Sequence, residues 1–153
     1  MAEMGLTLTC PAFIQGGPIA VIHTCDGVNA SPALQWGHTP PGTSSFVLMM
    51  EDADAPDGPV THWVLFDIPG SVEGLAEQDT AIGTPGRNDL HHEGYPGPCP
   101  PPRGREHRYV LRLSALDVDS LGLPRGASRR EVESAMRGHV LKQAELMGRY
   151  IRH

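Results

Sequence analysis

The sequence predicts a mainly β protein, and three observations carry that reading. The chain of 153 residues holds 18 Gly and 15 Pro, scattered without a period, so they punctuate short strands rather than build a collagen repeat or long helices. Three apolar runs of strand length lie between those breaks. Helical spacing of apolar residues sets in only after Ser128.

Leu6–Thr9 and Ile19–His23 read as short strands separated by the turn signal Gln15-Gly16-Gly17-Pro18. Ser45–Glu51 is a near-continuous apolar run, as expected of a strand covered on both faces. In the run from Thr61 to Ile68, the alternate residues His62, Val64, Phe66 and Ile68 share a face, and Pro69-Gly70 stop it. Arg108–Leu116 places Tyr109, Leu111, Leu113 and Ala115 on one side, and a start one residue earlier adds His107 to that side. Ser128 followed by Glu131 is a capping-box signature. Val132, Ala135, Met136, His139 and Val140 then recur at helical spacing, with His139 on the buried stripe. Gly138 divides this region into two short helices, the second ending near Met147. The remaining stretches, 31–44, 52–60 and 79–107, are long proline-bearing loops; loops of that length are usually functional or disordered, and their alternation with the strongest strands favours function.

Length sets one domain, residues 1–153, with one hydrophobic core. Hydrophobic residues make up 39% and charged residues 20%, too apolar for a disordered chain. The formal net charge of −6 and the lack of a basic block argue against nucleic acid or an anionic membrane surface as partner. No apolar run approaches the length of a membrane span. The N-terminus carries Glu3 and no basic region, so it does not read as a signal peptide. Cys10, Cys25 and Cys99 are odd in number and lack CxxC spacing. A disulfide framework or structural zinc is therefore not expected, and reduced thiols in a cytoplasmic protein are.

The candidate chemistry lies at strand ends. Glu51-Asp52-Ala53-Asp54-Ala55-Pro56, then Thr61-His62-Trp63, then Gly94-Tyr95-Pro96-Gly97-Pro98-Cys99 leading to His107-Arg108-Tyr109 each flank a strand. Strand ends of one sheet can converge, which would gather Asp52, Asp54, His62, His107 and Tyr109 around one cavity. From pattern alone His62 is equally a hydrogen-bonded histidine beneath a sheet. Asp54 suits a turn-capping role. His91-His92 reads as a surface pair, and Trp36 and Trp63 as core or pocket-wall aromatics. The run Pro96–Pro102 reads as a rigid wall rather than as a polyproline ligand for a partner. Cys99 reads as a small rim residue.

Ser31-Pro32-x-Leu34-x-Trp36, the Asp-Ala-Asp-Ala-Pro loop at 52–56, His62-Trp63, Gly97-Pro98-Cys99-Pro100-Pro101 and His107-Arg108-Tyr109 occur in an order that resembles the phosphatidylethanolamine-binding protein family. That family includes the Raf kinase inhibitor proteins, and this short chain is similar to its bacterial and archaeal branch. Gly138-His139-Val140-Leu141, Ala144-Glu145-Leu146 and Tyr150-x-Arg152 extend the resemblance over residues 5 to 152. It implies a central antiparallel sheet, a second smaller sheet and short C-terminal helices. It also implies a small anion pocket made by Asp52, His62, Gly97, Pro98, His107 and Tyr109. Two positions depart from the family pattern: Ala53 where Pro is usual, and Pro96 where bacterial relatives often have Gly.

A phosphate monoester needs several donors in a partly dry cavity. Two imidazoles and a tyrosine hydroxyl supply them, and backbone N–H groups near Gly97 add more. Asp52 then fixes one imidazole by accepting a hydrogen bond from its N–H, or faces the ammonium of an ethanolamine headgroup. The expected function is binding rather than catalysis. The ligand is a phosphate-bearing small molecule, nucleotide or headgroup, with no cofactor, and the family resemblance adds inhibition of a kinase or protease and a homodimer. The alternative is a metal-dependent enzyme using His62, His107 and one Asp as a two-histidine-one-carboxylate set. The chain has no HExxH. A serine or cysteine hydrolase is the weakest reading, since no GxSxG elbow is present.

Overall fold

Pairing among the apolar runs organises the molecule. The computed structural model describes residues 5–152, and the N-terminal residues 1–4, read above as no leader, lie outside them. In chain order the elements are β1 (Thr7–Thr9), a 3-10 turn (Val21–His23), β2 (Leu34–Gly37), β3 (Ser45–Asp52), β4 (Val60–Pro69), β5 (Gly74–Leu75), β6 (Thr84–Pro85), β7 (His107–Leu116), α1 (Arg129–Met136) and β8 (Val140–Tyr150). Two antiparallel sheets result, with strand orders β1-β2-β5 and β6-β4-β3-β7-β8. The fold is mainly β, as the sequence predicts.

The five-stranded sheet is covered on both faces, which is why β3 is apolar almost throughout. Phe46, Leu48 and Met50 pack with Leu34 and Trp36 of the small sheet. Val47 on the other face packs with Val132 and Met136 of α1 and with Ala127. Tyr109, Leu111, Leu113 and Ala115 all face the small sheet, as their alternation predicts.

β4 departs from simple alternation twice, and each departure is a bulge. Between the pairs Phe46–Ile68 and Leu48–Leu65, β4 contributes one extra residue. Asp67 there has φ of 54°, and the kink turns Ile68 onto the small-sheet face with Leu65, away from Val64 and Phe66. Between Met50–Trp63 and Glu51–Thr61 the extra residue is His62. A classic bulge places both of its residues on one side of the sheet. The ring of His62 accordingly meets Tyr109, so the expected shared face of His62, Val64, Phe66 and Ile68 does not form.

Other expectations are corrected by pairing. The second C-terminal helix is strand β8, which pairs with β7 from His107–Tyr150 to Leu116–Val140. Gly138, at φ of 82°, ends the helical region, and His139 sits half-exposed with its Nδ1 2.8 Å from Asp117 rather than on a buried stripe. Leu146, Gly148 and Tyr150 are buried at a period of two, so cross-strand packing outweighs local spacing. Ile19–His23 makes the 3-10 turn instead of a strand: Ile19 is buried, while Val21 and Ile22 remain exposed. β2 lies inside the expected 31–44 loop. The short β5 and β6 give too little sequence to show a period.

No helix among the described residues is long and apolar enough to cross a membrane. The capping box forms as read: Ser128 Oγ accepts from the Glu131 N–H at 3.1 Å, and Glu131 Oε1 accepts from the Ser128 N–H at 3.2 Å. Because α1 covers one face of the large sheet, its cap bears on core packing. Ser128→Ala is expected to lower unfolding free energy by about 1 kcal/mol without changing the denaturant slope, as read by urea denaturation.

Candidate functional site

The Asp52, His62, His107 and Tyr109 side chains meet at one end of the large sheet, where β3, β4 and β7 are neighbours. Asp52 pairs with Tyr109 across β3 and β7. Its carboxylate accepts from His107 Nδ1 at 2.6 Å and, through the other oxygen, from the Asp54 N–H at 2.9 Å. Tyr109 stands between the two imidazoles. Its ring centroid is 6.4 Å from that of His107 at an interplanar angle of 27°, and 5.6 Å from that of His62 at 89°. Asp52, His62 and His107 are 4%, 6% and 5% exposed, so only a small group can reach them.

Each imidazole is held by Nδ1. His62 Nδ1 donates to the Pro96 carbonyl at 2.9 Å, and a carbonyl can only accept. His107 Nδ1 donates to the Asp52 carboxylate. Both Nε2 atoms are therefore left without a protein partner among the described residues. The Tyr109 hydroxyl is buried and also lacks a hydrogen-bond partner. Burial first, and then the charge of Asp52, pushes its pKa up, so it stays a neutral donor.

Gly97 and Pro98 are buried and follow Pro96, whose carbonyl holds the His62 ring, but their own polar groups are not free. The Gly97 N–H goes to Asn29 Oδ1 at 2.8 Å, and the Pro98 carbonyl accepts from the Cys25 N–H at 3.1 Å. The expected extra donor at Gly97 is thus already used. A side chain there has no room, since a Cβ on Gly97 would come within 2.0 Å of the His23 carbonyl oxygen. The Tyr95 hydroxyl donates to that same carbonyl at 2.8 Å.

The wall is also tied covalently. Cys25 and Cys99 form a disulfide across 74 residues of sequence, with Cα atoms 5.3 Å apart. Among the described residues Cys10 is the free cysteine, and it is buried. This overturns the expectation of reduced thiols and of Cys99 as a simple rim residue, and with it the thiol argument for a reducing compartment. A long-range pair carries no local spacing signal. The contacts that Asn29, His23 and Tyr95 make here escaped the sequence reading for the same reason.

Asp54 has the structural role expected of it. Its carboxylate accepts from the Arg108 N–H at 2.8 Å and from Nε and Nη2 of the same guanidinium at 2.9 and 2.8 Å. His91 and His92 are exposed. No group of three or more His, Cys, Asp or Glu among the described residues is placed to share a metal ion. Asp52 is aimed at the His107 ring itself rather than at a point shared with it. A cavity of about 540 Å³ lined by Leu6, Leu8, Phe13, Ile14 and Leu146 lies between β1 and β8 and includes none of the four polar groups.

The sequence pattern of the phosphatidylethanolamine-binding proteins matches residues 9–151. The chain belongs to the phosphatidylethanolamine-binding protein family. Its relatives in that family include a UPF0098 protein of Aquifex aeolicus, 46% identical over 92% of this chain and 85% of that one. Another, from Methanothermobacter thermautotrophicus, is 44% identical over 96% and 99%. Among solved structures, a phosphatidylethanolamine-binding protein homologue from Chlamydia trachomatis superposes with a TM-score of 0.92 at 36% identity, covering 97% of this chain and 99% of its own. YbcL of E. coli, described as a member of the mammalian family, gives 0.89 at 27% identity over 99% and 100%. Membership in the phosphatidylethanolamine-binding protein family supports a binding or regulatory protein in general terms.

The Asp54–Arg108 pair predicts an acid signature. The hydrogen bonds from the guanidinium bring the Asp54 pKa down to about 2. A folded-state pKa below the unfolded value gives stability that is present above about pH 4 and lost as pH falls toward 2. Asp54→Asn is expected to be less stable than wild type at pH 7, with the difference shrinking as pH falls through about 2, as read by thermal unfolding across that range.

Proposed function

We propose that this chain binds small phosphate-bearing ligands at His62, His107 and Tyr109 and acts through binding rather than catalysis. The observation that supports this most is the direction of the two rings. With both Nδ1–H groups committed, each Nε2 can donate to an anion only when its ring carries a second proton. Anion and proton then bind together, and the Tyr109 hydroxyl adds a neutral donor between them. Asp52 holds the His107 ring by accepting from its Nδ1. Gly97 and Pro98 shape the wall. Because the polar groups lie so deep, the ligand they suit is a headgroup or a free phosphate monoester. The acyl chains of a lipid have no part in the contact.

The reading is tested by calorimetric titration with phosphorylethanolamine and with inorganic phosphate, in phosphate-free buffer containing a chelator. Saturable binding is expected for both ligands, with loss in His62→Ala and His107→Ala. Tyr109→Phe should weaken affinity about tenfold, the worth of roughly 1.5 kcal/mol for one donor to a charged group. Because each Nε2 donates only from a doubly protonated ring, affinity should fall with rising pH. Binding of equal strength in wild type and both alanine variants, or independent of pH, would contradict the assignment.

A further inference from the structure

We propose that Cys25–Cys99 is a thiol–disulfide exchange site whose reduction frees the site wall and weakens anion binding. The second part rests on the function proposed above. The argument begins with what holds the wall. From 96 to 102 the chain reads Pro-Gly-Pro-Cys-Pro-Pro-Pro, so Gly97 and Cys99 are its only backbone donors. The Gly97 N–H is bonded to Asn29. No strand includes the wall or the 23–31 segment behind it. The disulfide is therefore the one covalent tie between two irregular segments. His62 depends on the result, because its Nδ1 is fixed by the carbonyl of Pro96.

The bond is also placed to react. Cys99 is exposed and Cys25 half-buried, so an external dithiol reaches the Cys99 sulfur. Arg152 Nη1 lies 3.7 Å from that sulfur, and its charge draws an incoming thiolate. The thiolate bonds to Cys99 Sγ as the S–S bond breaks, and Cys25 leaves as a thiolate that takes up a proton. The reductant's second thiolate then attacks its own sulfur in the mixed disulfide and releases Cys99 as a thiolate beside Arg152. Two electrons pass from the dithiol to the pair, leaving an oxidised reductant and two cysteine thiols.

The test compares oxidised wild type, dithiothreitol-reduced wild type and the Cys25→Ala/Cys99→Ala double variant. Thiol titration in denaturant should rise from one group per chain to three on native-state reduction, Cys10 supplying the first. Amide exchange should quicken at Gly97 and across 23–31 while β3, β4 and β7 stay protected. Phosphorylethanolamine should bind about tenfold more weakly to the reduced chain and recover on reoxidation by glutathione disulfide. The double variant should match the reduced protein and ignore dithiothreitol. A pair that resists reduction in the native protein, unchanged exchange or affinity with three thiols present, or loss of protection throughout the sheet would each overturn the proposal. If the oxidised protein binds no anion, the function proposed above fails, and the exchange data alone decide whether the wall is released.

Discussion

Between Pro96 and Pro102 the chain keeps only two backbone donors, at Gly97 and Cys99, so the wall of the candidate site must be held from outside. Five of those seven positions are proline, which removes both ladder and turn hydrogen bonds. The holding groups come from the segment around the 3-10 turn: Asn29 to Gly97, Cys25 to Pro98 and, by disulfide, to Cys99. The close approach of Gly97 to the His23 carbonyl shows how tightly the two segments meet, and why position 97 has no side chain. Proline stiffness keeps the wall's shape once these ties fix its place.

The sheet supplies the other half of the site through one irregularity. A regular β4 would send His62 to the face of α1, beside Val64 and Phe66. The bulge opposite Met50 and Glu51 adds His62 as an extra residue and brings its ring to Tyr109 on the other face. On the neighbouring strands Asp52 and Tyr109 are cross-strand partners, and His107 follows from alternation along β7. Three groups thus arrive by regular pairing and the fourth by a local break in it. The Pro96 carbonyl then fixes the orientation of that fourth group.

The same distinction explains what the sequence made legible. β3, β4, β7 and the start of α1 were readable because each has many apolar residues at one period or a short-range cap. The ordered motifs pointed to Asp52, His62, His107 and Tyr109 as a set, and the structure brings them together. The face of His62 was not readable, because a bulge depends on the register of a neighbouring strand. Neither was β8, whose exposed first half leaves an apolar pattern that also fits a helix. The Cys25–Cys99 bond joins residues 74 apart through a loop packing that no local window contains. Asn29 was silent for the same reason: its side chain matters only where Gly97 happens to arrive.

The central claim is that both imidazoles present Nε2 to one anion while Nδ1 stays bonded within the protein. Histidine side-chain ¹⁵N NMR during titration with inorganic phosphate tests it most directly. The account predicts that the Nε2 resonances of His62 and His107 shift with one common midpoint while both Nδ1 atoms remain protonated. Two unrelated midpoints, or no movement at Nε2 while phosphate binds, would contradict it.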